Sequence, residues 1–384
     1  MNYKIESIQA LRGIAAMMVV LGHMNVFLNG AYSQSNLGDL LFFNGAIGVD
    51  IFFVISGFII ALATEKRESC VCVKFLIKRF FRLYPVYLFS FLVFSLVVTH
   101  MFLLEKASVP LWFNFDNIVK SLFFLQLRPD DNAPFYGYSL IITAWTLSYE
   151  IYFYIVFCVA MAISHKYRAI ISAIAIIAIS LILQKIYTGH FTIDAYAVPG
   201  INGREMLTIA TNPISFDFIL GLVAFYIFKA SKNVQYGISV KALASVGFAF
   251  GVLCWNSGFM FGHGLSKFGG IAFIIFMSVV FGELAFKFKL PKSLVFLGDI
   301  SYSVYIIHIV VIFAYREFGK FIPFIPQTKW IQSFCFSCIF INFAVLRNVQ
   351  IYRKTIYKII SRYMQKDVKN LLRWRNVTSY LFYL

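Results

Sequence analysis

Apolar residues run through this chain in blocks of roughly 20, the length a helix needs to cross the hydrocarbon core of a bilayer. Ten such blocks are legible, at about residues 7–28, 40–63, 82–104, 145–164, 168–187, 213–229, 239–256, 267–286, 299–318 and 329–347. A single segment at that depth has no water to bond its backbone, and only a helix satisfies every N–H and C=O internally. The pattern therefore predicts an all-α fold, a polytopic transmembrane helical bundle. Residues 1–347 read as one integral membrane domain. Residues 348–384 read as a basic tail, in which Tyr352, Ile356, Ile359, Ile360, Tyr363 and Leu371 supply an apolar face suited to the inner leaflet.

The basic residues fix an orientation. Lys66, Arg67, Lys74, Lys78, Arg79, Arg82, Lys166, Arg168, Lys229, Lys232, Lys287, Lys289 and Lys292 fall on one side once the spans alternate, together with the basic tail. Under the positive-inside rule that side is cytoplasmic, and both termini lie there. The net charge of +17 is then mostly a topology signal plus attraction to anionic lipid. Only 13% of the residues are charged and 60% are hydrophobic, against about 25% charged in soluble domains. Nucleic acid is excluded as a partner, because no soluble basic domain exists to bind it. No cleavable signal peptide is expected, since the first block is too long and continues into a second span. Cys70 and Cys72 fall in an inside loop, where thiols stay reduced. Cys335 and Cys338 have C-x-x-C spacing but sit in the last apolar block, where packing explains them better than a metal. No internal repeat is visible.

Against this background the polar residues inside spans stand out, because an ionisable group at membrane depth is costly. Arg12 and His23 share the first span. Eleven residues at 100° each return to nearly the same helix face, about 16 Å further along. Asp50 stands near the outer mouth of the second span, within reach of a histidine that it would orient or cap. Lys74, Lys78 and Arg82 share a face at i, i+4 and i+8, with Arg79 beside them, and Tyr84-Pro85 is expected to start or break a helix there. Guanidinium groups at this edge suit bidentate phosphate contacts. Glu150 lies early in the fourth span with Tyr154 four residues on, hence on its face. Ser301, Tyr305 and His308 share a face of the ninth span. Each has a structural reading: a snorkelling Arg, a helix-start Asp, an interhelical hydrogen bond from His or Glu. The residues alone leave the structural and functional readings open. Asp194, Arg204, Glu205, Asp217, His165, His190 and His263 read as loop or loop-edge residues.

The ordered set is more specific than any piece. Arg12-x10-His23, GVDIFFVISGFII from Gly48, RFFRLYP from Arg79, WTLSYEIYFYI from Trp145 and DISYSVYIIH from Asp299 follow one another along the chain. In this it resembles the acyltransferase-3 family, the integral membrane O-acyltransferases that modify bacterial surface polysaccharide and lipopolysaccharide. The family often closes with a Glu-Pro pair, where this chain reads RNVQIYRKTIYK. Some members carry an extracytoplasmic esterase-like domain; none is expected here, and the chain reads as a stand-alone form.

The resemblance implies an acyl-CoA donor, most often acetyl-CoA, and no metal. It implies an acceptor hydroxyl on a surface glycan such as O-antigen or exopolysaccharide, or on its lipid-linked precursor, in the bacterial inner membrane. Acyl transfer needs a base, a grip on the donor and stabilisation of a developing oxyanion. His23 is expected as the base, because imidazole titrates near neutrality. Asp50 is expected to orient it, and Glu150 to complete the catalytic group. Arg12, Arg79 and Arg82 are expected to hold the CoA phosphates, with Tyr154, Tyr305 and His308 as additional site residues. A rival from another class is a transporter or flippase whose polar residues line a solute path, and a nearer one is the same enzyme with another donor such as succinyl-CoA.

Overall fold

The computed structural model describes residues 5–25, 28–30, 33–67, 70–104, 111–231 and 235–318. The expected tenth span, the basic tail, Cys335 and Cys338 lie outside the described residues. Nine helices among those described are long and apolar enough to cross a membrane, and no strand occurs among them. The protein is a multi-pass helical bundle.

In chain order the helices are α1 (Glu6–Met24), α2 (Leu37–Phe42), α3 (Ile47–Ala63), α4 (Val71–Leu104), α5 (Phe115–Leu122), α6 (Trp145–Ile163), α7 (Arg168–Thr188), α8 (Glu205–Thr211), α9 (Phe216–Ala230), α10 (Ile238–Ser257), α11 (Gly270–Phe286) and α12 (Lys292–Phe318). A short 3₁₀ turn joins α2 to α3, so both lie in one long span, Leu37–Ala63. The spans alternate in direction. Lys66, Arg67, Lys166, Lys229 and Lys287 therefore gather at one end of the bundle, called here the basic end, and the α1 C-terminus lies at the opposite end.

Small residues let the central helices touch backbone to backbone, the packing that replaces the hydrophobic effect in lipid. Gly57 of α3 and Gly221 of α9 face each other, and a Cβ on either would collide with backbone of the other helix. Gly13 of α1 stands against Gly298 of α12 in the same way, with the Gly298 backbone nitrogen 2.8 Å from a built Cβ. The α1–α3–α9–α12 centre is thus drawn tight, and its walls are rings such as Phe153, stacked on Phe218 at 4.3 Å. The α7 and α10 helices lie at the periphery, with Ile174, Ile182, Leu243 and Leu253 exposed toward lipid.

Charged side chains close helix ends at the basic end. Ile5 offers α1 no side-chain cap, and Glu283 of α11 supplies one by accepting from Ser7 N at 2.8 Å and Glu6 N at 3.2 Å. A carboxylate at a helix N-terminus also meets the positive end of the dipole. Arg168 does the converse for α3, donating to Ala61 O and Thr64 Oγ1, each at 2.8 Å.

The structure moves one expected boundary. The helix of the third span starts at Val71, eleven residues before the expected 82, and Pro85 lies inside it. The segment from Val71 to Tyr84 contains no glycine, and its basic residues tolerate helix well. At 34 residues α4 is about 51 Å long, more than the hydrocarbon core, so its basic first turns extend beyond the apolar layer. The proline is accommodated there as in other packed membrane helices.

Candidate functional site

Two of the polar groups inside the bundle lie on either side of Tyr305. The first surrounds a small cavity lined by Arg12 of α1, Ser56 of α3, Arg82 of α4, Glu150 of α6, and Tyr302 and Tyr305 of α12. Arg12 Nη1 donates to Gln9 Oε1 at 3.3 Å on its own helix. The Tyr154 hydroxyl donates to Glu150, which fixes one carboxylate oxygen. Arg79 lies behind this pair, its guanidinium 5.2 Å from the Phe75 ring centre and 5.4 Å from that of Tyr154. The Nε atoms of Arg79 and Arg82 are buried without a hydrogen-bond partner among the described residues. Tyr302 donates to Leu83 O at 2.9 Å and holds α12 against α4 beside Arg82. The cavity therefore places two guanidinium groups and one carboxylate around a small polar space, with a third guanidinium stacked at its back.

The second group is a histidine pair. His23 Nδ1 lies 2.8 Å from Val19 O, and His308 Nε2 lies 3.4 Å from the same His23 nitrogen. His308 Nδ1 lies 3.2 Å from Val304 O. A carbonyl only accepts, so both neutral rings carry their proton on Nδ1, a tautomer assigned from the network. His308 Nε2 is then an acceptor facing His23 Nδ1–H, and His23 Nε2 keeps its lone pair. His308 is fully buried, whereas His23 is exposed. One imidazole is locked and the other presents a basic nitrogen.

Tyr305 links the two groups. Its hydroxyl donates to Thr143 O at 3.0 Å and lies 2.9 Å from Thr146 Oγ1, its ring centre is 6.2 Å from that of His308, and it lines the arginine cavity. Arg12 and His23 thus stand on one helix, one in each group.

The expected partnership of Asp50 with His23 does not occur. Asp50 is fully buried and accepts instead from His263 Nδ1 at 2.8 Å and from Gly264 N at 2.8 Å. Its face of α3 turns toward α9 and the α10–α11 connection, whereas Val49, Phe52 and Phe53 turn toward the arginine cavity. Asp217, expected at a solvated edge, is fully buried beside Asp50 and packs against Gly269. His263, expected as loop background, is 5% exposed. Its ring is walled by Trp145 at 5.5 Å, Phe135 at 5.9 Å and a parallel Tyr196 at 6.4 Å. Burial pushes the Tyr196 hydroxyl up to about 12 and keeps it protonated, while its oxygen accepts from His263 N at 3.2 Å. The signal for His263 was its setting between Gly262 and Gly264, both in left-handed backbone that turns the chain back into the bundle. No cluster of three metal-ligating side chains occurs among the described residues.

Comparison with known proteins agrees with this architecture. A family profile described as an acyltransferase domain matches residues 5–346. The exopolysaccharide production protein ExoZ of Rhizobium meliloti (strain 1021) is 28% identical over 267 residues, covering 69% of this chain and 75% of that protein. The acyltransferase MdmB of Streptomyces mycarofaciens is 26% identical over 247 residues, 62% of each chain. Nodulation protein 10 of Rhizobium leguminosarum bv. viciae is 23% identical over 308 residues, covering 75% and 76%. No solved structure matches. With the profile spanning nearly the whole sequence, the chain belongs to the acyltransferase-3 family and is a membrane-embedded acyltransferase.

Proposed function

We propose that this protein takes an acyl group, acetyl in the simplest case, from acyl-CoA at its basic end and transfers it to a hydroxyl of a surface glycan or its lipid-linked precursor at the opposite end. The basic end faces the cytoplasm and the bundle sits in the bacterial inner membrane. The observation that carries this reading is the placement of Arg12, in the cavity with Arg82 and Glu150, and His23, paired with His308, on one helix, with Tyr305 set against both groups. One of the relatives, named for exopolysaccharide production, supports a saccharide acceptor.

In this mechanism Arg12 and Arg82 hold CoA phosphates, as planar guanidinium groups do best, and Arg79 adds its charge from behind the cavity. Glu150, steadied by Tyr154, faces the arginines across the cavity and keeps their side chains in place when no donor is bound. The pantetheine arm extends along α1 over the roughly 16 Å between Arg12 and His23. His23 Nε2 removes the proton of the acceptor hydroxyl as its oxygen attacks the thioester carbonyl. The C–S bond then breaks, and the departing sulfur takes the proton back from the imidazolium. His308 accepts from His23 Nδ1–H throughout and so keeps Nε2 basic. Calorimetric titration of the purified protein with CoA tests the donor half. Wild type binds and the Arg12→Ala, Arg82→Ala double variant binds at least tenfold more weakly; equal binding by both proteins overturns the assignment.

A further inference from the structure

The Asp50–His263 pair is unused by the mechanism above, and its construction is more elaborate than tethering a turn requires. Both oxygens of Asp50 are committed to residues 263 and 264, which sit between two glycines in left-handed backbone. The carboxylate only accepts, so His263 carries its proton on Nδ1 and its Nε2 is the basic nitrogen. That nitrogen has no hydrogen-bond partner among the described residues. A carboxylate-oriented imidazole with an open Nε2, set among aromatic rings, can receive a hydrogen bond from a hydroxyl group.

The walls specify what carries that hydroxyl. Trp145, Phe135 and Tyr196 surround the imidazole, and Tyr138, stacked on Phe135 at 4.9 Å, extends the aromatic surface into the exposed region. The rim is polar. Tyr196 accepts from His263 N and keeps its own proton to donate. The Lys267 ammonium lies 4.2 Å over the Tyr196 ring centre and 3.3 Å from Asp194. Aromatic faces take the C–H faces of a pyranose, and convergent donors and acceptors take its hydroxyls. A membrane-interface belt would explain exposed tyrosines; it does not explain a buried imidazole bonded to a buried carboxylate at their centre. The cluster also lies back to back with the arginine cavity. Trp145 walls it, and the next residue, Thr146, lines the arginine cavity and hydrogen-bonds Tyr305.

We propose that His263, Trp145, Phe135, Tyr196 and Tyr138 form a saccharide subsite of the acceptor, in which Asp50 orients His263 to accept a hydrogen bond from a sugar hydroxyl. Asp50 and His263 are positioning residues, and the reacting hydroxyl belongs to a neighbouring part of the glycan. The inference rests on the glycan-acceptor reading above and is tested apart from it.

The test uses purified full-length protein in nanodiscs with two titrations. One uses CoA; the other uses methyl glycosides of the common hexoses, followed by tryptophan fluorescence. The subsite predicts that at least one glycoside shifts the fluorescence of wild type and not of Trp145→Phe. It predicts at least tenfold weaker glycoside binding by His263→Gln and by Tyr138→Ala, with CoA affinity unchanged in both. Tyr138→Ala removes an exposed ring that donates to no buried acceptor, so a folding failure of the first variant leaves the second decisive. Glycoside binding that is absent in wild type, or unchanged in the variants, overturns the subsite. Glycoside binding without CoA binding leaves the subsite standing and overturns the donor half of the proposed function.

Discussion

His308 Nε2 lies 3.4 Å from His23 Nδ1, joining residues 285 positions apart in sequence. Because His23 Nδ1 also faces Val19 O at 2.8 Å, its single proton is held from two sides and its other nitrogen is left basic. If that is the function of His308, replacing it with Ala lowers kcat and leaves the KM for acyl-CoA in place. One hydrogen bond contributes about 1 kcal/mol, so the expected loss is roughly fivefold. His308→Gln, which keeps an acceptor, recovers part of the rate. Steady-state kinetics on the two variants check this, and an equal loss in both would remove the acceptor role.

Arg82 reaches the cavity as a planar fork, and a lysine in its place is a point charge. Arg82→Lys is expected to raise the KM for acyl-CoA, and Arg82→Ala to raise it more, by about 10- to 150-fold for a lost charged hydrogen bond worth about 1.5–3 kcal/mol. The KM ratio of acetyl-CoA to acetyl-pantetheine is the sharper readout. It collapses toward one in Arg82→Ala if Arg82 holds a phosphate.

Asp50→Asn keeps the size of the side chain and its bond from Gly264 N. Its amide then donates to His263 Nδ1, and the proton of the imidazole moves to Nε2. Nitrogen NMR of histidine-labelled protein is expected to show this tautomer change for His263, with no change for His23. A shift at His23 instead would mean that Asp50 acts on the transfer site.

Gly57 and Gly221 meet where α3 crosses α9, and a side chain at either collides with backbone. Gly57→Leu is expected to lower the melting temperature of the detergent-solubilised protein by several degrees, since overpacking costs about 1–3 kcal/mol. Leucine at Gly189, which has open space about its Cβ position, supplies the contrast. Its cost is confined to the left-handed backbone (φ 76°).

The spans and their alternation were legible because lipid imposes a length and a composition on every crossing. So was the one-faced spacing of Arg12 with His23, which a helix alone dictates. The partner of Asp50 was not. Helical periodicity says which residues share a face, but not which neighbour that face meets. Here the small faces at Gly57 and Gly221 bring α9 against α3 and turn Asp50 away from α1. His263 was missed for a related reason. Its position is set by φ of 121° at Gly262 and 97° at Gly264, and no hydrophobic pattern encodes those angles. The early start of α4 was hidden by its basic residues, which mark a membrane edge in sequence yet continue the helix beyond it.

The central claim is that His23 is the base of a trans-membrane acyl transfer onto glycan. Its most direct test is the incorporation of label from radioactive acetyl-CoA into glycan by inside-out membrane vesicles. These are prepared at matched protein level from glycan-producing cells expressing wild type or His23→Ala. The account predicts labelled glycan with wild type and background with the variant, while CoA binding by the variant is retained. Equal incorporation by both would contradict it and leave His23 a structural histidine.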